Sequence, residues 1–266
     1  MRYLKSKEAE LHAARNYPKQ AGRIPHKVRE AAASDRAGAR REAAVKLGRM
    51  DNAKAASLLL KLAEDDDWRV RGTSVHSLMN LHCYGKTRAI PREEIAEAVM
   101  RRLVSDASEY VRSAAAGHLP GIETQGGVFD ACARLQAEPH SEVLCRLVSA
   151  LGRCKDDYAI RFILPLVTHR HSAVRSSAVR ALARLGAPAR VDEAIALAGD
   201  ASANARMTAV PILNRLHAEG GEVSKRARAA LNRMAANDGN LKVRKQAAGA
   251  LRMLKFKQQA ARLSRL

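Results

Sequence analysis

The chain has 266 residues and a formal net charge of +20, with 47% hydrophobic but only 3% aromatic residues. This content supports a packed core of Ala, Leu and Val. The sequence contains no run of 18 apolar residues that would span a membrane, and its first residues lack the apolar segment of a secretory signal. The four cysteines show no CxxC spacing. We therefore expect a cytoplasmic protein with reduced thiols and no membrane partner.

The positive charge is concentrated at the two ends of the chain. Residues 1–54 carry 14 Lys/Arg and 6 Asp/Glu, and residues 222–266 carry 12 and 2. The middle of the chain is therefore nearly neutral, and no acidic residue follows Asp238. Such basic ends favour an anionic partner, either a nucleic acid or an acidic protein.

The predicted elements are helices arranged in pairs. Residues 1–24 form a basic N-terminal extension with one helix at 6–16, and residues 255–266 form a basic tail that extends or caps the last helix. No useful stretch alternates with a period of two, so no sheet is predicted. The seven predicted pairs are 25–33 with 38–50, 53–64 with 67–81, 92–104 with 108–119, 128–137 with 141–152, 157–168 with 172–185, 191–198 with 204–216, and 222–237 with 241–254.

The second helix of each pair carries the motif V-R-x-x-A-x-x-x-L. Val174, Ala178 and Leu182 show it best, and their spacing of four residues places them on one buried face of a helix. Repetition of this kind indicates a stack of similar helix pairs. The second motif position falls at Arg40, Arg71, Arg112, Leu144, Arg175, Arg206 and Arg244.

An acidic residue usually stands five positions before each motif, as Asp65, Asp106, Glu138, Asp200 or Asp238. His169 breaks the rule. Such an acid is predicted to cap the helix, or to pair with the motif arginine one turn in or with that of the next repeat. The motif arginines are therefore interpreted as structural and not as ligand contacts.

Together, the acid, the Val-Arg pair and the Ala and Leu that follow resemble the second helix of HEAT repeats, particularly the short HEAT-like kind. The resemblance implies an all-α, right-handed α-solenoid of about seven helix pairs over residues 25–254. It also implies that the second helices line the concave surface. Members of this family are mostly scaffolds for binding other molecules, so the resemblance predicts the fold more specifically than the function.

Two basic surfaces are the candidate binding sites. Positions 3, 6 and 10 after the first motif residue share an exposed flank, and in the fourth to sixth repeats this basic flank carries Arg146, Arg153, Arg180, Arg184 and Arg215. The C-terminal segment adds Lys242, Lys245, Arg252, Lys255 and Lys257. The flank suits a phosphate backbone or an acidic peptide. The alternative interpretation is a solvated face whose arginines pair with acids on neighbouring loops.

Catalytic and metal chemistry find little support in the sequence. His140, His169 and His171 occupy equivalent turns, but their spacing matches no known metal motif, so we predict no metal, cofactor or catalytic residue. No histidine is followed by glutamate, unlike the di-iron deoxyhypusine hydroxylases of this repeat family. Trp68 is the only tryptophan, which argues against a HEAT-like DNA glycosylase. Bilin lyases with HEAT-like repeats offer no motif to test.

The leading hypothesis from sequence is a non-catalytic protein that binds nucleic acid through the phosphate backbone. Low aromatic content disfavours base stacking, so duplex DNA or structured RNA is expected rather than single strands. The alternative is a protein-interaction scaffold or adaptor whose basic surface binds an acidic partner. A DNA-processing enzyme is the third hypothesis.

Overall fold

The computed structural model describes residues 23–84, 91–122, 126–187 and 190–263. These ranges contain fourteen α-helices and no strand, which confirms the predicted all-α class. The predicted N-terminal helix at 6–16 lies outside the described residues. None of the described helices is both long and apolar enough to cross a membrane.

The helices form two compact units, residues 1–131 and 132–266. In the first unit, three pairs stack so that each second helix packs on its own first helix and on the next second helix. The pairs are α1 His26–Ala32 with α2 Ala37–Leu47, α3 Ala53–Leu62 with α4 Trp68–Tyr84, and α5 Arg92–Ser105 with α6 Glu109–His118.

The second unit repeats this plan, and the boundary between the units falls inside its first helix. The second helices of consecutive pairs, α8, α10, α12 and α14, lie side by side. The elements are α7 Gly127–Ala137, α8 Ser141–Cys154, α9 Ile160–Ile163, α10 Ser172–Leu185, α11 Arg190–Ala198, α12 Ala203–His217, α13 Gly221–Asn237 and α14 Leu241–Leu263.

The motif residues form the core, as the spacing predicts. Val174, Ala178 and Leu182 on α10 are all 0% exposed. Small residues bring the second helices close together, because a Cβ built on Gly152 of α8 would lie 2.7 Å from the Cβ of Ala181. Small residues at such contacts therefore allow tight packing between the second helices.

One predicted helix, at residues 157–168, is wrong. The segment folds as a 3-10 turn, the single α-helical turn α9, and a second 3-10 turn over Leu164–Thr168. Pro165 has no N–H to donate and its ring crowds the carbonyl four residues earlier, which disfavours regular α-helix here and favours the change to 3-10 geometry at Leu164.

A ladder of ion pairs joins most consecutive repeats within a unit. Arg40 donates to both carboxylate oxygens of Asp65 at 2.6 and 2.8 Å. It also donates to the carbonyl oxygens of Ser34 and Asp35 in its own turn, at 3.0 and 2.9 Å. The Asp65 carboxylate also accepts from the N–H of Asp67 at 2.9 Å. The same arrangement recurs in Arg71–Asp106, Arg175–Asp200 and Arg206–Asp238.

This ladder corrects two details of the sequence analysis. In all four pairs the acid bonds to the arginine of the preceding repeat, not to its own or the next one. It also closes an Asx turn just before the helix, where the prediction was a helix cap. The hydrogen bond from Arg40 is the main reason why the pKa of Asp65 lies below its ordinary value. The motif arginines of these pairs are structural, as predicted.

One pair of the ladder is missing, and both of its positions are changed. Leu144 and His169 are separated by 25 residues, the same separation as in Arg40–Asp65 and Arg175–Asp200. Leu144 is buried. The His169 ring accepts from the N–H of His171 at 3.1 Å through Nδ1, and burial is the main cause that lowers its pKa. The turn keeps its local hydrogen bond, and the ion pair to the preceding repeat is lost.

The double substitution Leu144→Arg, His169→Asp is expected to form the missing ion pair of the ladder. Leu144→Arg alone introduces a guanidinium without a carboxylate, and His169→Asp alone introduces a carboxylate without a guanidinium. The double variant should therefore be more stable than the two single changes predict, with a coupling energy of about 1–2 kcal/mol. Urea unfolding of the wild type and the three variants measures this energy. Purely additive effects would show that these positions do not form a ladder pair.

Candidate functional site

Three of the five predicted flank arginines line one open groove in the second unit. Arg180 and Arg184 lie on α10, Arg215 lies on α12, and the groove has a volume of about 440 Å³. Arg184 and Arg215 are equivalent residues of consecutive repeats, so they lie level with one another. This arrangement follows directly from the constant spacing of the motif.

The rest of the groove is lined by neutral side chains. Most of these lie along one face of α12, and Gln246 reaches the groove from α14. Ile212 is buried, whereas Met207 and Thr208 are half-buried. The neutral lining residues are Asn204, Met207, Thr208, Pro211, Ile212 and Gln246.

The groove is strongly electropositive. Partial burial, and then the charges of Arg180, Arg153 and Arg215, lower the pKa of Arg184. None of the nine residues that line the groove is acidic, and the described structure shows no ion pair to the three lining arginines. An anion bound in the groove would relieve this repulsion among like charges.

The other flank residues have different surroundings. Arg146 lies 3.8 Å from Glu142, one turn earlier on α8, and does not line the groove. Arg153 is exposed at the C-terminal end of α8, and its charge contributes to the environment of Arg184. The interpretation as a solvated face therefore fits Arg146 better than it fits the three groove arginines.

Of the predicted C-terminal residues, Lys242, Lys245 and Arg252 do not line the groove. Lys242, Lys245 and Arg252 are exposed on α14. Lys255 and Lys257 lie further along the same helix, beyond the residues whose side chains are described.

Sequence reasoning missed Met207 and Pro211, because it selected flank positions by charge. A proline inside a strongly predicted helix was the signal that could have found this part of the groove.

The described part of the chain contains no group of metal-ligating residues, and Trp68 and Tyr110 do not line the groove. No group of three or more His, Cys, Asp or Glu residues is placed there to hold a metal ion. The rings of His169 and His171 are 5.5 Å apart. Trp68 stacks on Tyr110 at 4.9 Å at the surface of the first unit, and neither ring lines the groove.

The repeated helix pairs, the ladder between repeats and the open groove define an all-α repeat protein of the scaffold class. The family model for HEAT repeats matches residues 26–120 and 130–214. The chain therefore belongs to the HEAT-repeat family.

Solved structures share the fold at low sequence identity. A HEAT-like repeats protein from the archaeon Thermococcus onnurineus NA1 is 15% identical, with 86% of this chain and 96% of that chain covered and a TM-score of 0.57. A chain in the complex of CpcE and CpcF of phycocyanin lyase from Nostoc sp. PCC7120 is 18% identical, with 90% and 98% covered and a TM-score of 0.52. No curated protein matches the sequence. These likenesses show the fold alone.

Proposed function

We propose that the chain is a non-catalytic protein-interaction scaffold whose second unit binds an acidic segment of a partner protein in the arginine groove. The observation that carries the proposal is the lining itself, which has three arginines and no acid around an apolar floor. Arginine suits this role because its planar group binds carboxylates through two parallel hydrogen bonds.

A protein partner is favoured over a nucleic acid by the mixed chemistry of the groove. A phosphate backbone would use the arginines but would leave Met207, Pro211 and Ile212 without an apolar contact. A partner protein can supply both acidic and apolar side chains. The matched chain of similar fold comes from the complex of CpcE and CpcF, which is an assembly of two proteins. This supports the choice of a protein partner.

A catalytic role finds no support in the groove. The similar structure belongs to a phycocyanin lyase. In this chain, however, the titratable side chains among the described residues that line the groove are all arginines. Arginine stays protonated near neutral pH and is poorly suited to general acid–base catalysis. A DNA-processing enzyme would need other residues at this site.

Binding of DNA or structured RNA through the phosphate backbone is the second candidate. It is supported by the net charge of +20 and by the exposed Lys242, Lys245 and Arg252 on α14. These residues do not line the groove, so a nucleic acid would contact α14 in addition to any contact with the groove arginines. The choice of ligand and the salt dependence of binding therefore separate the two candidates better than variants of the groove arginines alone.

Fluorescence anisotropy with a labelled acidic polypeptide, duplex DNA and structured RNA, at low and at physiological salt, tests the proposal. The variant Arg180→Gln, Arg184→Gln, Arg215→Gln should bind the acidic polypeptide at least about tenfold more weakly, since it loses three charge-assisted contacts. The matched control is Arg170→Gln, Arg228→Gln, Arg233→Gln, which removes the same charge from exposed residues outside the groove.

The control variant should retain affinity for the acidic polypeptide within about threefold. Equal losses in both variants would contradict the proposal, because binding would then depend only on net charge. Tighter binding to duplex DNA or RNA than to the polypeptide, with a steep dependence on salt, would favour the second candidate.

A further inference from the structure

The chemistry of the arginine groove changes along its length. Its lining residues on α12 run from Asn204 to Arg215 on one face of the helix. At a rise of about 1.5 Å per residue, this face is about 16 Å long. An extended peptide advances about 3.3 Å per residue, so the groove has the length of about five residues.

One end of the groove is cationic. Arg184 and Arg215 lie level with one another, and Arg180 lies one turn before Arg184 on α10. The opposite end is neutral and polar, with the side-chain amides of Asn204 and Gln246. An anionic group of a bound segment is therefore directed to one end only.

The middle of the groove is apolar on its α12 side, and Arg180, at the position of α10 equivalent to Pro211, borders it from the other side. Met207 and Pro211 line it above the buried Ile212. Pro211 lies inside α12 and has no N–H, so it cannot donate to the carbonyl of Met207 four residues earlier.

The distance between the apolar and cationic parts sets a spacing for the ligand. Pro211 and Arg215 are four residues apart on the helix, which corresponds to about 6 Å along its axis. Two residues of an extended peptide span about 6.6 Å, and side chains two residues apart point to the same side. Adjacent side chains point to opposite sides, so only one of them would enter the groove.

From this arrangement we infer that the groove binds a short extended peptide with one carboxylate side chain and one apolar side chain two residues apart. The carboxylate binds Arg184 and Arg215, with Arg180 beside it, and the apolar side chain packs on Met207 and Pro211. This inference rests on the proposed function and specifies the segment of the partner protein. A segment that is acidic but has no apolar side chain would contact only the arginines of the groove.

Labelled eight-residue peptides of Gly and Ser test the spacing, each carrying one Glu and one Leu. In one pair of peptides Glu and Leu are two residues apart, in either order, and in the matched pair they are adjacent. We expect the better of the two spaced peptides to bind about tenfold more tightly than the adjacent ones, because a buried leucine contributes roughly this factor. A fifth peptide replaces Leu by Ser and should bind as weakly as the adjacent ones.

A variant of the protein tests the apolar contact from the other side. Met207→Gln keeps the length of the side chain and should remove the preference for the spaced peptide, while leaving the affinity for the Leu→Ser peptide within about twofold. The control is Met253→Gln, an exposed methionine on α14 outside the groove, which should keep the preference.

The possible outcomes distinguish the inference about peptide spacing from the proposed function. Equal binding of the spaced, adjacent and Leu→Ser peptides, lost in the Arg180, Arg184 and Arg215 variant, would overturn the inference and leave the proposed function standing. Binding that the arginine variant does not weaken would overturn both. A preference for the spaced peptide that Met207→Gln does not change would also overturn the inference, since the contact would lie elsewhere.

Discussion

Replacement of Asp106 by alanine is expected to lower the free energy of unfolding by about 3 kcal/mol. The Asp106 side chain is 1% exposed and accepts two hydrogen bonds from Arg71, at 2.8 and 2.9 Å. It also accepts from the N–H of Ser108 at 2.9 Å. Alanine removes the carboxylate and leaves a largely buried guanidinium and a turn N–H without their partner. Urea unfolding followed by far-UV circular dichroism measures the change.

Asp66→Ala is the matched control, because Asp66 is an exposed aspartate in the equivalent turn of the preceding repeat. We expect a change below about 0.5 kcal/mol there. Comparable small effects at both positions would show that the ladder contributes little to stability.

Acid should weaken the ladder. The hydrogen bond from the paired arginine is the main cause that lowers the pKa of Asp65, Asp200 and Asp238 below the ordinary value of 3.8. For Asp106, burial raises the pKa, but the bonds from Arg71 and Ser108 outweigh it and the pKa is also lowered. The unfolded chain then binds more protons, so this stability is complete above pH 3.8 and is lost as the pH falls through the folded-state values. The stability of the Asp106→Ala variant should therefore fall less steeply than that of the wild type as the pH is lowered.

Replacement of Gly152 by alanine is expected to destabilise the protein by about 1–3 kcal/mol, although the same change inside a helix usually stabilises it. A Cβ at this position would lie 2.7 Å from the Cβ and 2.8 Å from the Cα of Ala181 on α10. Both distances are too short for carbon atoms, so α8 and α10 must move apart. Thermal or urea unfolding gives the sign of the effect.

Gly249→Ala is the control for Gly152. Gly249 lies in α14, and a Cβ there would meet no atom within 4 Å. Alanine should therefore stabilise the protein by about 0.5–1 kcal/mol. Adding Ala181→Gly to Gly152→Ala should recover part of the lost stability. A stabilising effect of Gly152→Ala alone would show that the two helices separate without cost.

The repeated motif explains why much of the architecture could be predicted. A fixed spacing between copies and a helical period determine which residues face the core and which stand level on neighbouring helices. The same arithmetic places Arg184 and Arg215 level with one another, because they hold equivalent positions of consecutive repeats. The motif also predicted the burial of Val174 and its equivalents, because these positions recur every four residues.

The sequence could not supply features that depend on how a turn folds against its neighbour. In the four ladder pairs the acid bonds to the arginine of the preceding repeat, because its turn packs beside that repeat's second helix. The motif does not encode this packing of a turn. The break at Pro165 was missed because the apolar pattern continues through it. The apolar floor at Met207 and Pro211 was missed because flank positions were chosen by charge alone.

The two partners of a ladder pair leave different groups behind when one of them is replaced. Without the acid, an arginine placed like Arg40 still donates to two carbonyl oxygens of its own turn. Without the arginine, an acid placed like Asp65 keeps one backbone N–H and remains largely buried, with 7% of its side chain exposed. Loss of the acid first carries the smaller penalty. Replacing the acid before the arginine is therefore the less destabilising order of two substitutions, so the Arg–Asp ladder constrains how the sequence can change as well as how it folds.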